Sequence, residues 1–151
     1  MNYPRQLTAP ARVGLLATLG LVAILLVPKL SKATGAIGKE DLAGPWQIAL
    51  GGNTGCGSSA MLFNGTLNNA GSGTGTLVGH STGCGDSVSP GQSFTITSLA
   101  PNGSGKATLS CGAGCGWDFT IQVSPDRTTF NLVDVDPANP NNTPAGMAVH
   151  Q

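Results

Sequence analysis

Gly79-His80-Ser81-Thr82-Gly83 has the Gly-x-Ser-x-Gly spacing of a nucleophile elbow, in which a serine on a strained strand-to-helix turn attacks an acyl group. That chemistry needs the turn, a general base and an acid that orients the base. Nothing after Gly83 has a helical period, His150 lies more than half the domain away, and Asp86 and Asp134 have equal claim as third partner. The pentapeptide therefore reads as a product of a glycine- and serine-rich composition. Asp134, Asp136 and Asn139, followed by Asn141 and Asn142, offer the hard oxygen ligands that calcium takes. They lack the glycine and closing glutamate of a helix-flanked calcium loop, and the competing reading is a strand end whose side chains cap turns. His80 and His150 have no metal-ligand spacing and read as surface histidines.

Four cysteines, Cys56, Cys84, Cys111 and Cys115, allow three disulfide pairings. Cys56 and Cys84 each sit in a Thr-Gly-Cys-Gly stretch (54–57 and 82–85), which places them in two similar loops. The expected pairs are Cys56 with Cys84 and Cys111 with Cys115, the second closing a short loop where Gly112 and Gly114 allow bending. A four-thiolate zinc site is the alternative, although its usual pair of Cys-x-x-Cys units is missing.

The elements that must carry these residues are strands. Trp117, Phe119, Ile121 and Val123 alternate with Asp118, Thr120, Gln122 and Ser124, a period of two that predicts one buried and one wet face. Ser124-Pro125-Asp126-Arg127 reads as a type I turn, and Phe130 to Val135 returns as the partner strand. Phe130 and Leu132 share parity with Asp134, so we expect a β-bulge between Leu132 and Val133; the alternative is an inward-pointing Asp134. Further strands are expected over 42–50 (Trp46, Ile48 and Leu50 inward), around Met61, Phe63 and Leu67, over 74–80 with Leu77 inward, over 92–99 with Phe94 and Ile96 inward, and over 106–110. The last covers 145–150, with Met147 and Val149 inward. Asn102-Gly103 supplies hairpin-turn chemistry; Asn64-Gly65-Thr66, Asn102-Gly103-Ser104 and Asn141-Asn142-Thr143 are also glycosylation sequons, informative only in a eukaryotic secretory pathway. Eight short strands with turns between them predict an all-β antiparallel meander closing as a barrel, or alternatively a β-sandwich.

Only 9% of the 151 residues are charged, against a usual share of about a quarter. Four of the seven cations (Arg5, Arg12, Lys29, Lys32) lie in the first segment, so residues 37–151 carry Lys39, Lys106 and Arg127 against seven acids. Without a basic cluster there is nothing to neutralise phosphates, which argues against nucleic acid as a partner. Two arginines precede an apolar run, Val13 to Pro28, of about sixteen residues, the length of a signal-peptide core and short of a membrane span. Residues 1–36 are expected to be a signal peptide or, if uncleaved, an N-terminal membrane anchor, with a single domain over 37–151. An assembly helix is disfavoured by Pro28, Gly35 and Gly38.

Leu42-Ala43-Gly44-Pro45-Trp46, followed by Ala49-Leu50-Gly51 at the head of an eight-strand meander, resembles the calycins, the lipocalin and avidin barrels, and looks most like the first strand of an avidin. The match covers about ten residues. Avidin-like proteins hold biotin among several tryptophans, whereas this domain has Trp46 and Trp117 alone, so biotin binding is not carried over. The rest of the chain, with its paired Thr-Gly-Cys-Gly loops, looks like small exported bacterial proteins. All the aromatics of the domain fall on faces read as inward, which means core packing or an apolar cavity; Trp46, Phe63, Trp117 and Phe119 are the candidate lining residues. The expected function is non-enzymatic binding of a small apolar ligand by a secreted or envelope-associated barrel, without a cofactor. The alternative is a self-assembling or protein-interaction module of the envelope, pairing through an open strand edge.

Overall fold

The computed structural model describes residues 35–112, 115–138 and 140–151. Eight antiparallel strands follow one another and close on themselves: β1 (Gly44–Thr54), β2 (Gly57–Leu67), β3 (Ser72–Ser81), β4 (Gly85–Leu99), β5 (Ser104–Gly112), β6 (Cys115–Val123), β7 (Thr129–Asp134) and β8 (Ala145–His150), with β8 hydrogen-bonded back to β1. The meander is a closed barrel, not a sandwich. Residues 1–34, which hold nearly all of the expected leader, lie outside the described residues. Among the described residues no helix is long and apolar enough to cross a membrane.

Alternation places Trp46, Ile48 and Leu50 of β1, Phe63 and Leu67 of β2, Phe94 and Ile96 of β4, Leu109 of β5, and Trp117, Phe119, Ile121 and Val123 of β6 in one buried core. An aromatic chain crosses it: Trp46 to Phe130 at 4.8 Å between ring centroids, Phe130 to Phe94 at 5.8 Å and Phe94 to Phe63 at 6.2 Å. The middle of the barrel is thus filled by side chains, as a barrel of eight strands readily is.

One end is capped by the chain that precedes β1. A 3-10 turn, Lys39–Leu42, inserts the fully buried Leu42, whose carbonyl accepts the Trp46 indole N–H at 2.8 Å. Ile37 N–H bonds to the Pro101 carbonyl of the β4–β5 turn. In the turn before β7, Arg127 N–H bonds to the Ser124 carbonyl, giving the expected 124–127 turn, and a left-handed Arg127 (φ 62°) sends its guanidinium to Asp41, Nε to Oδ2 at 3.1 Å. Ile37, Leu42 and the Arg127–Asp41 pair therefore seal the end where the β2–β3, β4–β5 and β6–β7 turns gather.

Three expectations need correction. The β8 segment has its expected bounds but the opposite facing: Ala148 is fully buried between its partners Ile48 and Phe130, while Met147 (48% exposed) and Val149 (37%) look outward. At that level Trp46 and Phe130 already fill the interior, so only a small residue fits beneath them. No bulge separates Leu132 from Val133; the pairs Ile121–Leu132, Thr120–Val133 and Phe119–Asp134 run without a shift, and Asp134 shares the inward parity of Leu132. β7 ends there, at the rim, where the residue is only half-buried and its Oδ1 accepts the Asp136 N–H. Finally, β4 begins at Gly85, not near Gln92: residues 85–90 pair with β3, and a shift between Gly75 and Thr76 accommodates Gly91. Among the described residues they have no partner on the β5 side, where pairing starts at Phe94–Leu109.

The open mouth as candidate functional site

The end opposite the cap is built from the turns β1–β2, β3–β4 and β5–β6 and the 135–144 connection. The two Thr-Gly-Cys-Gly loops meet there: Gly83 N–H bonds to the Cys56 carbonyl at 2.8 Å, Thr82 N–H to the Ser58 carbonyl at 3.0 Å, and Cys56 and Cys84 are joined by a disulfide with Cα atoms 5.4 Å apart. Side chains brace the same corner, with Thr54 and Ser59 hydroxyls 2.8 Å apart and Ser81 Oγ accepting the Cys84 N–H. A second disulfide, Cys111–Cys115, ties the end of β5 to the start of β6, with Cα atoms 5.1 Å apart. Both expected pairs are present, and the zinc reading falls because every cysteine is committed to a disulfide.

Between these two staples lies a cavity of about 210 Å³. Its apolar wall is Met61, Leu77 and Trp117, its rim Ser59, Ser81, Ser87, Ser89 and His80, and both disulfides line it. The strands explain why it is hollow. Gly79 occupies the inward position above Leu77, where a Cβ would come within 3.0 Å of Met61 Cγ. Across from it β5 and β6 stop, while β3 and β4 continue.

Of the four candidate lining residues, Trp117 lines this cavity. Trp46, Phe63 and Phe119 lie deeper, each at most 2% exposed, in the packed core. Met61 and Leu77 are the lining residues not singled out from the sequence. A signal for them existed, because each faces inward within a few residues of a mouth-end turn, as Trp117 does.

The other chemical candidates are placed as follows. His80 and Asp86 are cross-strand partners joined at 2.7 Å, Nδ1 to Oδ1, and both are well exposed. Ser81, the next residue along β3, points the opposite way and is 8% exposed. The Gly-x-Ser-x-Gly pentapeptide thus lies in a regular strand that holds its serine and histidine on opposite faces. His150 packs edge-on against Trp46 at the capped end. Asp134 and Asp136 each spend an oxygen on a backbone N–H two residues on, those of Asp136 and Ala138, which is the turn-capping geometry. Burial pushes the Asp134 carboxyl above its usual range, aided by the charges of Asp136 and Asp118, and its Oδ2 has no hydrogen-bond partner among the described residues. Asn139 lies outside the described residues, and no three metal-ligating side chains converge among those described.

These features define a closed eight-stranded antiparallel barrel, sealed at one end and hollowed at the other between two disulfides. No protein-family model matches the chain. A comparison with curated proteins returns no match.

Proposed function

We propose that this chain is an exported, non-enzymatic binding protein whose barrel mouth takes a small apolar group. The observation that carries the reading is the mouth cavity: an apolar wall of Trp117, Met61 and Leu77 beneath a rim of hydroxyls, at the one end the cap leaves open. Its volume of about 210 Å³ falls below the roughly 300–1,000 Å³ of drug-sized sites. The fitting occupant is a single ring or short aliphatic chain, or the tip of a larger molecule. The calycin-like opening around Gly44 and Trp46 supports the same reading by analogy, and two disulfides suit an oxidising compartment outside the cytoplasm.

Native mass spectrometry of the full chain from an exporting host tests this, paired with fluorescence titration by single-ring aromatics. A retained small molecule, and a Trp117 emission change lost in Met61→Trp, are the expected results. A bare polypeptide mass, with tryptophan emission that no compound in the panel moves, would sink the reading. The alternative of an envelope interaction module draws on one specific observation, the unpaired side of β4.

A further inference from the structure

Among the described residues, 85–90 of β4 pair with β3 alone. Their ladder phase follows from a neighbouring bond. Thr82 N–H bonds to the Ser58 carbonyl, so Ser58–Thr82 is a hydrogen-bonded pair; the next pair, Ser59–Ser81, is not, and Ser81 turns its backbone groups toward β4. Counting along β4, Gly85, Ser87 and Ser89 bond to β3, while Asp86, Val88 and Pro90 turn their backbone groups to the empty side. Pro90 fits this phase, because its missing N–H then costs no bond to β3.

This edge reads the same in both directions. Gly85-Asp86-Ser87-Val88-Ser89-Pro90-Gly91 is a Gly-x-Ser-Val-Ser-x-Gly palindrome centred on Val88, and its two glycines have matching left-handed φ values of 73° and 72°. Val88 is 71% exposed, the most exposed of the large hydrophobic residues among those described. It ends an outward apolar row in register across five strands, Met147–Ala49–Leu62–Val78–Val88. The edge's one charge, Asp86, is already paired with His80.

We propose that this edge binds a second copy of the chain, with the two β4 segments antiparallel about a two-fold axis through Val88. The symmetry sets Val88 beside Val88, Ser87 beside Ser89 and Asp86 beside Pro90. The two Val88 residues exchange both backbone bonds, and each Asp86 N–H reaches the opposite Pro90 carbonyl, about four bonds in all. Each Pro90 sits where its missing donor leaves only the Asp86 carbonyl to water. Pairing also joins the two apolar rows into one. A two-fold interface must be self-complementary, and a palindromic edge meets that requirement whereas an arbitrary strand does not.

The test is sedimentation velocity on the full chain from about 1 to about 200 μM. Val88→Pro removes only the N–H that faces the empty side, leaving the ladder to β3 intact; Val88→Lys places like charges at the two-fold axis. Val133→Lys, on the exposed face of β7, is the control. The expected result is a monomer–dimer equilibrium in wild type and Val133→Lys, weakened at least roughly tenfold in both Val88 variants with unchanged melting temperatures. A wild type that stays monomeric overturns the proposal, whether the edge takes another extended peptide, is covered by residues 1–34 or stays empty. A dimer indifferent to both Val88 variants overturns it as well. Failure here leaves the mouth cavity's ligand binding untouched, since that is read by Trp117 emission.

Discussion

The facing of β8 gives the sharpest test of the packing, because sequence and structure assign it opposite sides. Ala148 is fully buried between Ile48 and Phe130, directly below the Trp46–Phe130 contact at 4.8 Å. Ala148→Leu adds three carbons to a space with no room for them. Overpacking of that kind costs about 1–3 kcal/mol. For a barrel of this size each kcal/mol moves the melting temperature by roughly 3–5 °C. Met147 beside it is 48% exposed, so Met147→Thr should stay within about 0.5 kcal/mol of wild type. With Met147 inward, the same truncation would cost about 2–5 kcal/mol and Ala148→Leu would be silent. Chemical denaturation of both variants, followed by tryptophan fluorescence, separates the two facings. A destabilised Met147→Thr beside a neutral Ala148→Leu would refute the register described here.

Asp134→Asn should stabilise the barrel near pH 7 by about 0.5–1 kcal/mol, since it keeps an acceptor for the Asp136 N–H while removing a poorly solvated charge. The sign follows from the raised native pKa: as pH rises through the ordinary carboxylate range the unfolded chain releases its proton first, so wild-type stability falls until the native carboxyl also ionises. Melting curves of variant and wild type should therefore converge near pH 3, and a gap independent of pH would exclude burial as the cause. The staples should differ in weight. With separations of 28 and 4 residues, chain entropy assigns about 3.5 kcal/mol to Cys56–Cys84 and about 2 kcal/mol to Cys111–Cys115, checked by urea unfolding of the paired Cys→Ser variants. Met61→Trp should fill the mouth and abolish ligand-induced changes in Trp117 emission while leaving the melting temperature within a few degrees, because Met61 is only partly buried.

Where one face is bulky and apolar and the other polar, the sequence was enough: Trp117 to Val123 alternates without a fault, and all four inward residues are buried. The eighth strand failed for a physical reason. In Ala145-Gly146-Met147-Ala148-Val149-His150 the larger apolar residues have the wrong parity, and what excludes them is the bulk of Trp46 and Phe130, supplied by other strands. Asp134 is similar, because a charge of inward parity is acceptable once its strand ends, and strand ends depend on neighbours. The strand expected over 92–99 starts earlier, at Gly85, because pairing along β3 overrides the poor strand propensity of the glycines, serines and proline in 85–91. The site was legible in facing but not in depth. Trp46, Phe63, Trp117 and Phe119 all point inward, yet only Trp117 stands near a mouth-end turn.

The cavity and the open edge share one cause, which is unequal strand length. β4 spans 15 residues while β5 and β6 span 9 each, so the β3–β4 hairpin outruns the neighbours that would have covered it. Its inward side, carrying Ser87 and Ser89, then walls a hollow that the Cys111–Cys115 hairpin end, Trp117 and Met61 also line. Its lateral side, carrying the backbone groups of Asp86 and Val88, has no partner strand among the described residues. Extending β5 and β6 by a few residues would close both features together. A chain selected for barrel stability alone gains from that closure, through added ladder bonds and buried apolar area. With the hairpin long and its neighbours short, the Cys56–Cys84 bond joins the β1–β2 and β3–β4 turns covalently. The covalent staple sits where the β2–β3 ladder runs out, at the corner where the β1–β2 and β3–β4 turns project beyond the filled barrel.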